Sequence, residues 1–186
     1  MLLSHDLIQV AWAHPFSKRD VVHAIASVGR NGPQRKGVLH LYPMASILIL
    51  NGPNLNLLGT REPSVYGTRT FDDYLAELRG SFPGHVIDLV QSNLEGELID
   101  ALQAADPVRD GVVMNAAGYT HTSVAIRDTI AGLRVPVVEV HISNIHAREA
   151  FRERSITGAK CAGVITGFGL EGYRMAIDHL LARRVR

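Results

Sequence analysis

The loop after the first apolar run of this sequence carries a guanidinium and a phenol that could act together. The run Ile47–Leu50 is followed by Asn51-Gly52-Pro53, then by Asn54 as a supporting polar group, and then by Arg61 and Tyr66. A free phenol titrates near pH ~10, and an adjacent cation lowers its pKa. Because Gly and Pro residues let the loop fold back, the pair predicts a general base at neutral pH. A loop tyrosine beside a solvated arginine is the structural alternative for this pair alone.

Two histidines and a carboxylate add a candidate proton donor. Side chains alternate along a strand, so Glu139 and His141 in the segment Val137–His141 lie on the same face. The carboxylate can therefore orient His141 as a general acid. His121 follows the small-residue turn Ala116–Thr120 at the start of a predicted helix, where a neutral, hydrogen-bonding imidazole is expected. Either histidine alone fits a structural role, but together with the loop pair they favour acid-base catalysis.

Several other chemistries lack the residues that they require. The three lysines, Lys18, Lys36 and Lys160, lie away from the predicted site, so no residue suggests a Schiff base. The sequence has no Gly-x-x-x-x-Gly-Lys-Ser/Thr loop, and its Gly-x-Gly-x-x-Gly match at 167–172 follows the last strand, where no dinucleotide site is expected. His141 and His146 have the wrong spacing for a helical metal pair. We therefore expect proton transfer with no cofactor and no metal.

Alternating strand and helix patterns from Ser46 onward must position these groups. The apolar runs predict five strands, and the caps and periodicity between them predict four helices. Such alternation favours right-handed crossovers and an α/β doubly wound three-layer sandwich with a five-stranded parallel sheet. By analogy with such folds, the strand order 2-1-3-4-5 would bring the ends of the first, third and fourth strands to one crevice. The predicted strands are Ile47–Leu50, His85–Gln91, Gly111–Asn115, Val137–His141 and Ala162–Thr166; the predicted helices start near Thr70, Ser92, Thr122 and Leu170.

Composition excludes several classes of protein. The 186 residues are 46% hydrophobic and carry a formal net charge of +1, which gives no polyanion-binding signature, so no nucleic-acid partner is expected. The single cysteine, Cys161, excludes an internal disulfide framework and a thiolate zinc cluster. No apolar run is long enough to span a bilayer. We expect a soluble, cytoplasmic protein without a membrane partner.

The first 45 residues differ in pattern from the rest. They show no clear strand or amphipathic helix, and Arg30–Gly37 resembles a flexible linker. Met44 directly precedes the first strand. We therefore assign residues 1–45 to an N-terminal extension, either flexible or the product of a mis-assigned start, in preference to a targeting segment. Residues 46–186 form the predicted catalytic domain, whose activity should survive removal of the extension.

The motifs together resemble those of the type II 3-dehydroquinate dehydratases. The resemblance runs from about Ile47 to Leu181 in the order and spacing of that family. Several independent motifs coincide, which makes the match specific. They are Asn51–Pro63, Tyr66-Gly67, Gln91-Ser92-Asn93, Glu95-Gly96, Thr120–Ser123, Glu139–Glu149 and Gly167-Phe168-Gly169.

The resemblance implies a flavodoxin-like fold and the anti elimination of water from 3-dehydroquinate, through an enolate, to give 3-dehydroshikimate. It implies that Tyr66 takes the proton next to the ketone, with Arg61 lowering the phenol's pKa. His141, oriented by Glu139, would protonate the departing hydroxyl. Asn115 would hold a water or the developing enolate.

The resemblance also implies a set of substrate contacts. Ile142 and Ser143 would bind the substrate carboxylate through backbone N–H and hydroxyl groups, and His121 and Arg152 would bind its ring hydroxyls. Asp128 corresponds to a residue that family members lend to a neighbouring subunit's site. Trimers assembled into a dodecamer are therefore expected.

Departures from the family pattern are few. Ala116-Ala117 replaces the more usual Pro-Gly or Pro-Ala, Leu94 stands where histidine is common, and 155–161 differs from the usual Ser-Tyr-x-Ser pattern. Two other classes of function stay open: a flavodoxin-like module that binds FMN or a phosphorylated ligand, and a scaffold whose site has decayed. The pathway is also open, because aromatic biosynthesis through the shikimate pathway and quinate catabolism share this step.

Overall fold

The core of the fold is a five-stranded parallel sheet. In the computed structural model, residues 44–59 and 69–184 are described. Their strands lie in the order β2-β1-β3-β4-β5. This arrangement confirms the predicted sheet and its strand order. It places β1 between β2 and β3, in the interior of the sheet. The strands are β1 (Ser46–Asn51), β2 (Val86–Gln91), β3 (Gly111–Asn115), β4 (Val137–His141) and β5 (Gly163–Thr166).

In the described part of the chain, three α-helices connect the first four strands, and a fourth follows β5. They are α1 (Phe71–Ser81), α2 (Glu95–Ala105), α3 (Val124–Gly132) and α4 (Glu171–Arg183). The predicted cap of α1 is present, because the Thr70 hydroxyl accepts a hydrogen bond from the Asp73 N–H at 3.1 Å. The predicted start of α3 at Thr122 is two residues early, since Ser123 is the residue that caps it.

The predicted cap of α2 is wrong in detail. Leu94 occupies the N-cap position, and its side chain makes no capping hydrogen bond. Ser92, two residues earlier, accepts a hydrogen bond from the Leu94 N–H at 2.9 Å and donates one to the Glu97 carboxylate. The hydroxyl therefore orders the turn into the helix instead of capping its first turn.

Two apolar layers bury the faces of the sheet. Because side chains alternate along each strand, neighbouring residues of β1 contribute to opposite layers. One layer packs against α1 and α4, and the other packs against α2 and α3, which gives the predicted three-layer sandwich. The first contains Ile47, Ile49, Val113, Val138, Leu75, Leu78, Ile177 and Leu180; the second contains Leu48, Leu50, Val112, Met114, Leu98, Leu102, Ile126 and Ile130.

The carboxyl ends of β1 and β3 lie side by side. Asn51 is in register with Asn115, and the Gly52 N–H donates to the Asn115 carbonyl oxygen at 2.7 Å. A Cβ atom on Gly52 would lie 2.6 Å from the Ala116 carbonyl oxygen, which is shorter than van der Waals contact. Only glycine therefore allows the loop after β1 to approach the end of β3 so closely.

Three sequence predictions fall wholly or largely outside the described ranges. Arg61 and Tyr66 lie in the gap at 60–68, and the predicted extension lies outside except for Met44 and Ala45. The domain boundary at residue 46 stays a prediction. Across 44–59 and 69–184, none of the helices has the length and apolarity required to cross a membrane.

Candidate active site

A cavity of about 420 Å³ opens at the carboxyl ends of β1, β3 and β4. This is the edge where open α/β sheets bind ligands, and the volume suits a small molecule. Of the predicted site residues that are described, all but two line the cavity. Those in the lining are Asn54, Asn115, His121, His141, Ile142, Ser143 and Arg152. Glu139 lies behind His141, and Asp128 lies outside the lining.

The predicted pairing of Glu139 with His141 is present. The His141 Nε2 atom lies 2.8 Å from Glu139 Oε1, and both side chains are buried. Burial by itself would raise the pKa of the Glu139 carboxyl, but hydrogen bonds from His141, Ser155 and Thr157 outweigh it and hold that pKa below its usual range. The Glu139 carboxylate therefore stays ionised next to the His141 ring. Because Nε2 of His141 contacts this carboxylate, Nδ1 is the ring nitrogen left to contact a ligand.

Two hydroxyl groups that the sequence analysis did not single out complete the surroundings of Glu139. Ser155 donates to Oε1 at 2.6 Å, and Thr157 donates to Oε2. Both belong to the segment that departs from the family pattern. Its Ser-x-Thr sequence was the available signal, but it did not indicate which carboxylate the hydroxyls would contact.

His121 is oriented by a backbone carbonyl. Its Nδ1 atom lies 2.9 Å from the Arg154 carbonyl oxygen, so Nδ1 carries the proton and donates it. The residue ends the 3-10 turn Ala117–His121 and does not start α3, so the prediction of its place at a helix start is wrong. Its ring stacks beside that of His141, with centroids 6.4 Å apart and planes at 20°.

A buried phenol connects the ends of β1 and β3 beneath the cavity. Tyr173 on α4 donates to Asn51 Oδ1 at 2.9 Å and accepts from Asn115 Nδ2 at 3.1 Å. Asn115 Oδ1 accepts from the Ala117 N–H at 3.1 Å. Burial raises the pKa of the Tyr173 phenol and keeps it neutral. Asn115 therefore has a fixed orientation, with one Nδ2–H not used by Tyr173.

Cations lie along the rim of the cavity. Arg152 Nε is 3.0 Å from Glu149 Oε2, an ion pair whose angle departs from that of a hydrogen bond. Arg148 Nε lies 3.5 Å from the same oxygen. The Arg152 guanidinium also lies over the Phe151 ring, 5.0 Å from its centroid. Two guanidinium groups against one carboxylate give this part of the lining a net positive charge, which suits an anionic ligand.

Two predicted site residues have contacts that suggest supporting positions. Asn54 adopts a left-handed conformation with φ of 67°, which asparagine tolerates, and its N–H donates to Asn93 Oδ1 at 3.0 Å. Asp128 lies exposed on α3, paired with Arg127 at 2.7 Å. Asp128 therefore takes no part in the cavity of its own chain, and its predicted role at a neighbouring subunit's site stays a prediction.

The described residues can donate protons and bind anions. His141, His121 and the Asn115 amide face one space beside two arginines. A group of three or more His, Cys, Asp or Glu side chains suited to a metal ion does not occur in the part of the chain that the structure describes. The arrangement fits general acid catalysis on a small anionic substrate. The roles given to individual residues, including Arg61 and Tyr66 in the gap, stay predictions.

Known proteins are similar to this chain in sequence and in fold. A family model described as "Dehydroquinase class II" matches residues 45–181. The chain is 53% identical over 141 residues to the 3-dehydroquinate dehydratase of Ruegeria pomeroyi, which covers 75% of this chain and 95% of that protein. It is 50% identical over 137 residues to catabolic 3-dehydroquinase 1 of Aspergillus terreus, covering 73% and 90%. The crystal structure of type II dehydroquinase from Propionibacterium acnes matches with a TM-score of 0.71 at 42% identity, over 76% of this chain and 99% of that one.

Proposed function

This chain belongs to the class II dehydroquinase family, and from that membership we propose that it is a 3-dehydroquinate dehydratase. The reaction removes water from 3-dehydroquinate and gives 3-dehydroshikimate, which makes the protein a hydro-lyase. The observation that carries the proposal is the buried Glu139–His141 pair at the wall of a cavity beside β1, β3 and β4. A proton donor in this place suits the loss of a hydroxyl group as water.

We propose that Tyr66 and His141 share the proton transfers. The Tyr66 phenolate, stabilised by Arg61, takes the proton next to the ketone and leaves an enolate. The enolate then expels the β-hydroxyl, the C–O bond breaks, and the proton that completes the water comes from His141. A proton passed from Tyr66 back to His141 resets both groups. Each general acid or base step contributes about 10²–10⁴-fold in rate.

The other lining residues suit an enolate and a carboxylate. The free Nδ2–H of Asn115 is available to the enolate oxygen or to a water that contacts it, because Tyr173 and Ala117 occupy the rest of the amide. Ile142 and Ser143 would bind the substrate carboxylate. His121 and Arg152 would contact the ring hydroxyls.

We further propose an assembly in which Asp128 completes a neighbouring site. Support comes from its exposure on α3 and its absence from the cavity of its own chain. Trimers that build a dodecamer would meet this requirement. Light scattering coupled to size-exclusion chromatography tests the assembly, and a monomer that turns over at the full rate would refute the role of Asp128.

Biosynthesis of aromatic compounds through the shikimate pathway is our proposal for the physiological role. One relative is named a 3-dehydroquinate dehydratase, with no pathway in its name, and another is named a catabolic 3-dehydroquinase, so the growth phenotype must distinguish the two roles. Deletion of the gene should create a requirement for aromatic amino acids. Loss of growth on quinate alone would assign the protein to catabolism.

The decisive experiment measures absorbance of the conjugated enone formed from 3-dehydroquinate. We expect turnover by the wild-type protein that persists after borohydride treatment, because no Schiff base forms. Tyr66→Phe should lower kcat about 10²–10⁴-fold with little change in KM, since only the base is lost. Absence of enone with the wild-type protein would refute the proposal, and a normal rate in Tyr66→Phe would remove that residue from its role.

A further inference from the structure

One short segment hydrogen-bonds to His121 directly and to Glu139, the carboxylate that orients His141. We propose that Arg154–Gly158 is a positioning element for His121 and His141, and that Thr157 influences catalysis through the Glu139 carboxylate. The segment does not line the cavity, so it would act through the histidines and not on the substrate. This inference rests on the proposed dehydratase activity.

The contact with His121 comes from the backbone at the beginning of the segment. The Arg154 carbonyl oxygen accepts from the His121 Nδ1–H at 2.9 Å. Two residues later, the Ile156 N–H donates to the Thr120 carbonyl oxygen at 2.8 Å. Two consecutive residues of the 3-10 turn, Thr120 and His121, are thus held by the segment. Because Nδ1 of His121 is used in this way, Nε2 is the ring nitrogen left to contact a ligand in the cavity.

The contact with His141 comes through a buried carboxylate. Glu139 is fully buried, and each of its carboxylate oxygens accepts a hydrogen bond from a hydroxyl of the segment. Ser155 donates to Oε1, and Thr157 donates to Oε2. His141 Nε2 shares Oε1 with Ser155. A buried carboxylate is stable only when its lone pairs are satisfied, so these hydroxyls replace the water that Glu139 has lost.

The backbone of the segment is shaped around this carboxylate. The Gly158 N–H donates to Ser155 Oγ at 2.8 Å, which orients that hydroxyl toward Glu139. A Cβ atom on Gly158 would lie 2.7 Å from Ser155 Oγ and 3.0 Å from Glu139 Oε1. A side chain at this position would therefore crowd the Ser155 hydroxyl, the Val164 side chain and the Glu139 carboxylate. Glycine at position 158 therefore allows the segment to pack directly against Glu139.

Other charged groups around the histidines do not replace this network. Arg148 and Arg152 line the cavity, which Glu139 does not, and both form ion pairs with Glu149. The Cys161 thiol donates to the Thr157 carbonyl oxygen at 3.6 Å, and burial first and the charge of Glu139 second raise the pKa of this thiol, so it stays neutral. Among the described residues, the two hydroxyls and His141 are the side chains that hydrogen-bond to Glu139.

A double-mutant cycle separates positioning from a purely structural role. Thr157→Val keeps the shape of the side chain and removes its hydroxyl. Loss of a hydrogen bond to a charged buried group should lower kcat about tenfold to a hundredfold, with KM unchanged. Thr157→Ser should restore the wild-type rate. In a Glu139→Gln background, Thr157→Val should add little further loss, because its effect passes through the carboxylate.

The result that would overturn the inference is also specific. A kcat in Thr157→Val equal to that of the wild type, or an equal loss with and without Glu139, would show that the hydroxyl does not act through this residue. If Thr157→Val does not fold, Ser155→Ala gives the same test on Oε1. Ser81→Ala is its matched control, because that hydroxyl donates to a helical carbonyl far from the cavity and its removal should leave kcat unchanged.

A measurement without turnover distinguishes failure of this inference from failure of the proposed function. The ring signals of His141 in an NMR spectrum should move in Thr157→Val and stay in place in Thr157→Ser. If the wild-type protein forms no enone but these shifts occur, the dehydratase activity is refuted and the positioning element stands. Unchanged ring signals in Thr157→Val would overturn the positioning element.

Discussion

Two buried tyrosines in edge-to-face contact should differ in how replacement by phenylalanine changes the free energy of unfolding. The rings of Tyr74 and Tyr173 have centroids 6.3 Å apart, and both side chains are almost fully buried. The Tyr173 hydroxyl makes two hydrogen bonds, to Asn51 and Asn115. The Tyr74 hydroxyl has no hydrogen-bond partner among the described residues, and burial raises its pKa to about 12.

The change in the free energy of unfolding depends on which polar atoms lose a hydrogen-bond partner when each hydroxyl is removed. Tyr173→Phe leaves Asn51 Oδ1 and one Asn115 Nδ2–H without a hydrogen-bond partner, each at a cost of about 1–3 kcal/mol. It also removes one buried hydroxyl, which offsets part of this cost. We expect a net loss of about 2–4 kcal/mol in the free energy of unfolding. Tyr74→Phe removes a buried hydroxyl and leaves no other polar atom without a partner. It should therefore be neutral or stabilise the fold by up to about 1 kcal/mol.

Urea unfolding followed by circular dichroism measures both variants under one set of conditions. The two changes remove the same atom from neighbouring rings, so each variant is the control for the other. Tyr173→Phe should also lower kcat, because Asn115 loses the contact that orients its amide. Equal destabilisation by the two substitutions, or a loss above about 1 kcal/mol in Tyr74→Phe, would refute the assignment of hydrogen bonds in this layer.

Three further predictions concern backbone strain, acid stability and the N-terminus. Ala117→Gly should stabilise the protein by about 0.5–1 kcal/mol in urea unfolding, because Ala117 has φ of 52°, and an unchanged midpoint would argue against strain there. The folded pKa of Glu139 is lowered, so its contribution to stability is complete above the unfolded value near pH ~4.3 and is lost as pH falls through the folded value. Glu139→Gln should therefore flatten the decline of stability below about pH 4.3, and a slope equal to that of the wild type would contradict this. A chain that starts at Met44 should keep the full kcat, and a large loss would show that residues 1–43 take part in the site.

The local pattern of the sequence predicted the five strands and the polar side chains at the ends of several of them. Apolar runs and the polar residues that end them depend on neighbours a few positions away, and the ends of parallel strands meet at one edge. Asn115 and His141 could be assigned to one site only by analogy with the strand order of doubly wound folds, whereas alternation along one strand was enough to place Glu139 beside His141.

Contacts between distant parts of the chain could not be predicted in this way. Tyr173 and Asn51 are 122 residues apart, and their hydrogen bond depends on how α4 packs beneath β1 and β3. Ser155 and Thr157 follow no periodic pattern, so their contact with Glu139 emerges only when the loop after β4 folds back.

The sequence by itself determined which residues could carry charge and protons and which strand ends would present them. Only the tertiary structure decided which groups hold those residues in place, as with the Arg154 carbonyl that orients His121. The physical reason is that strand periodicity is a property of adjacent residues, whereas satisfaction of a buried polar group depends on whatever the folded chain brings within hydrogen-bond distance.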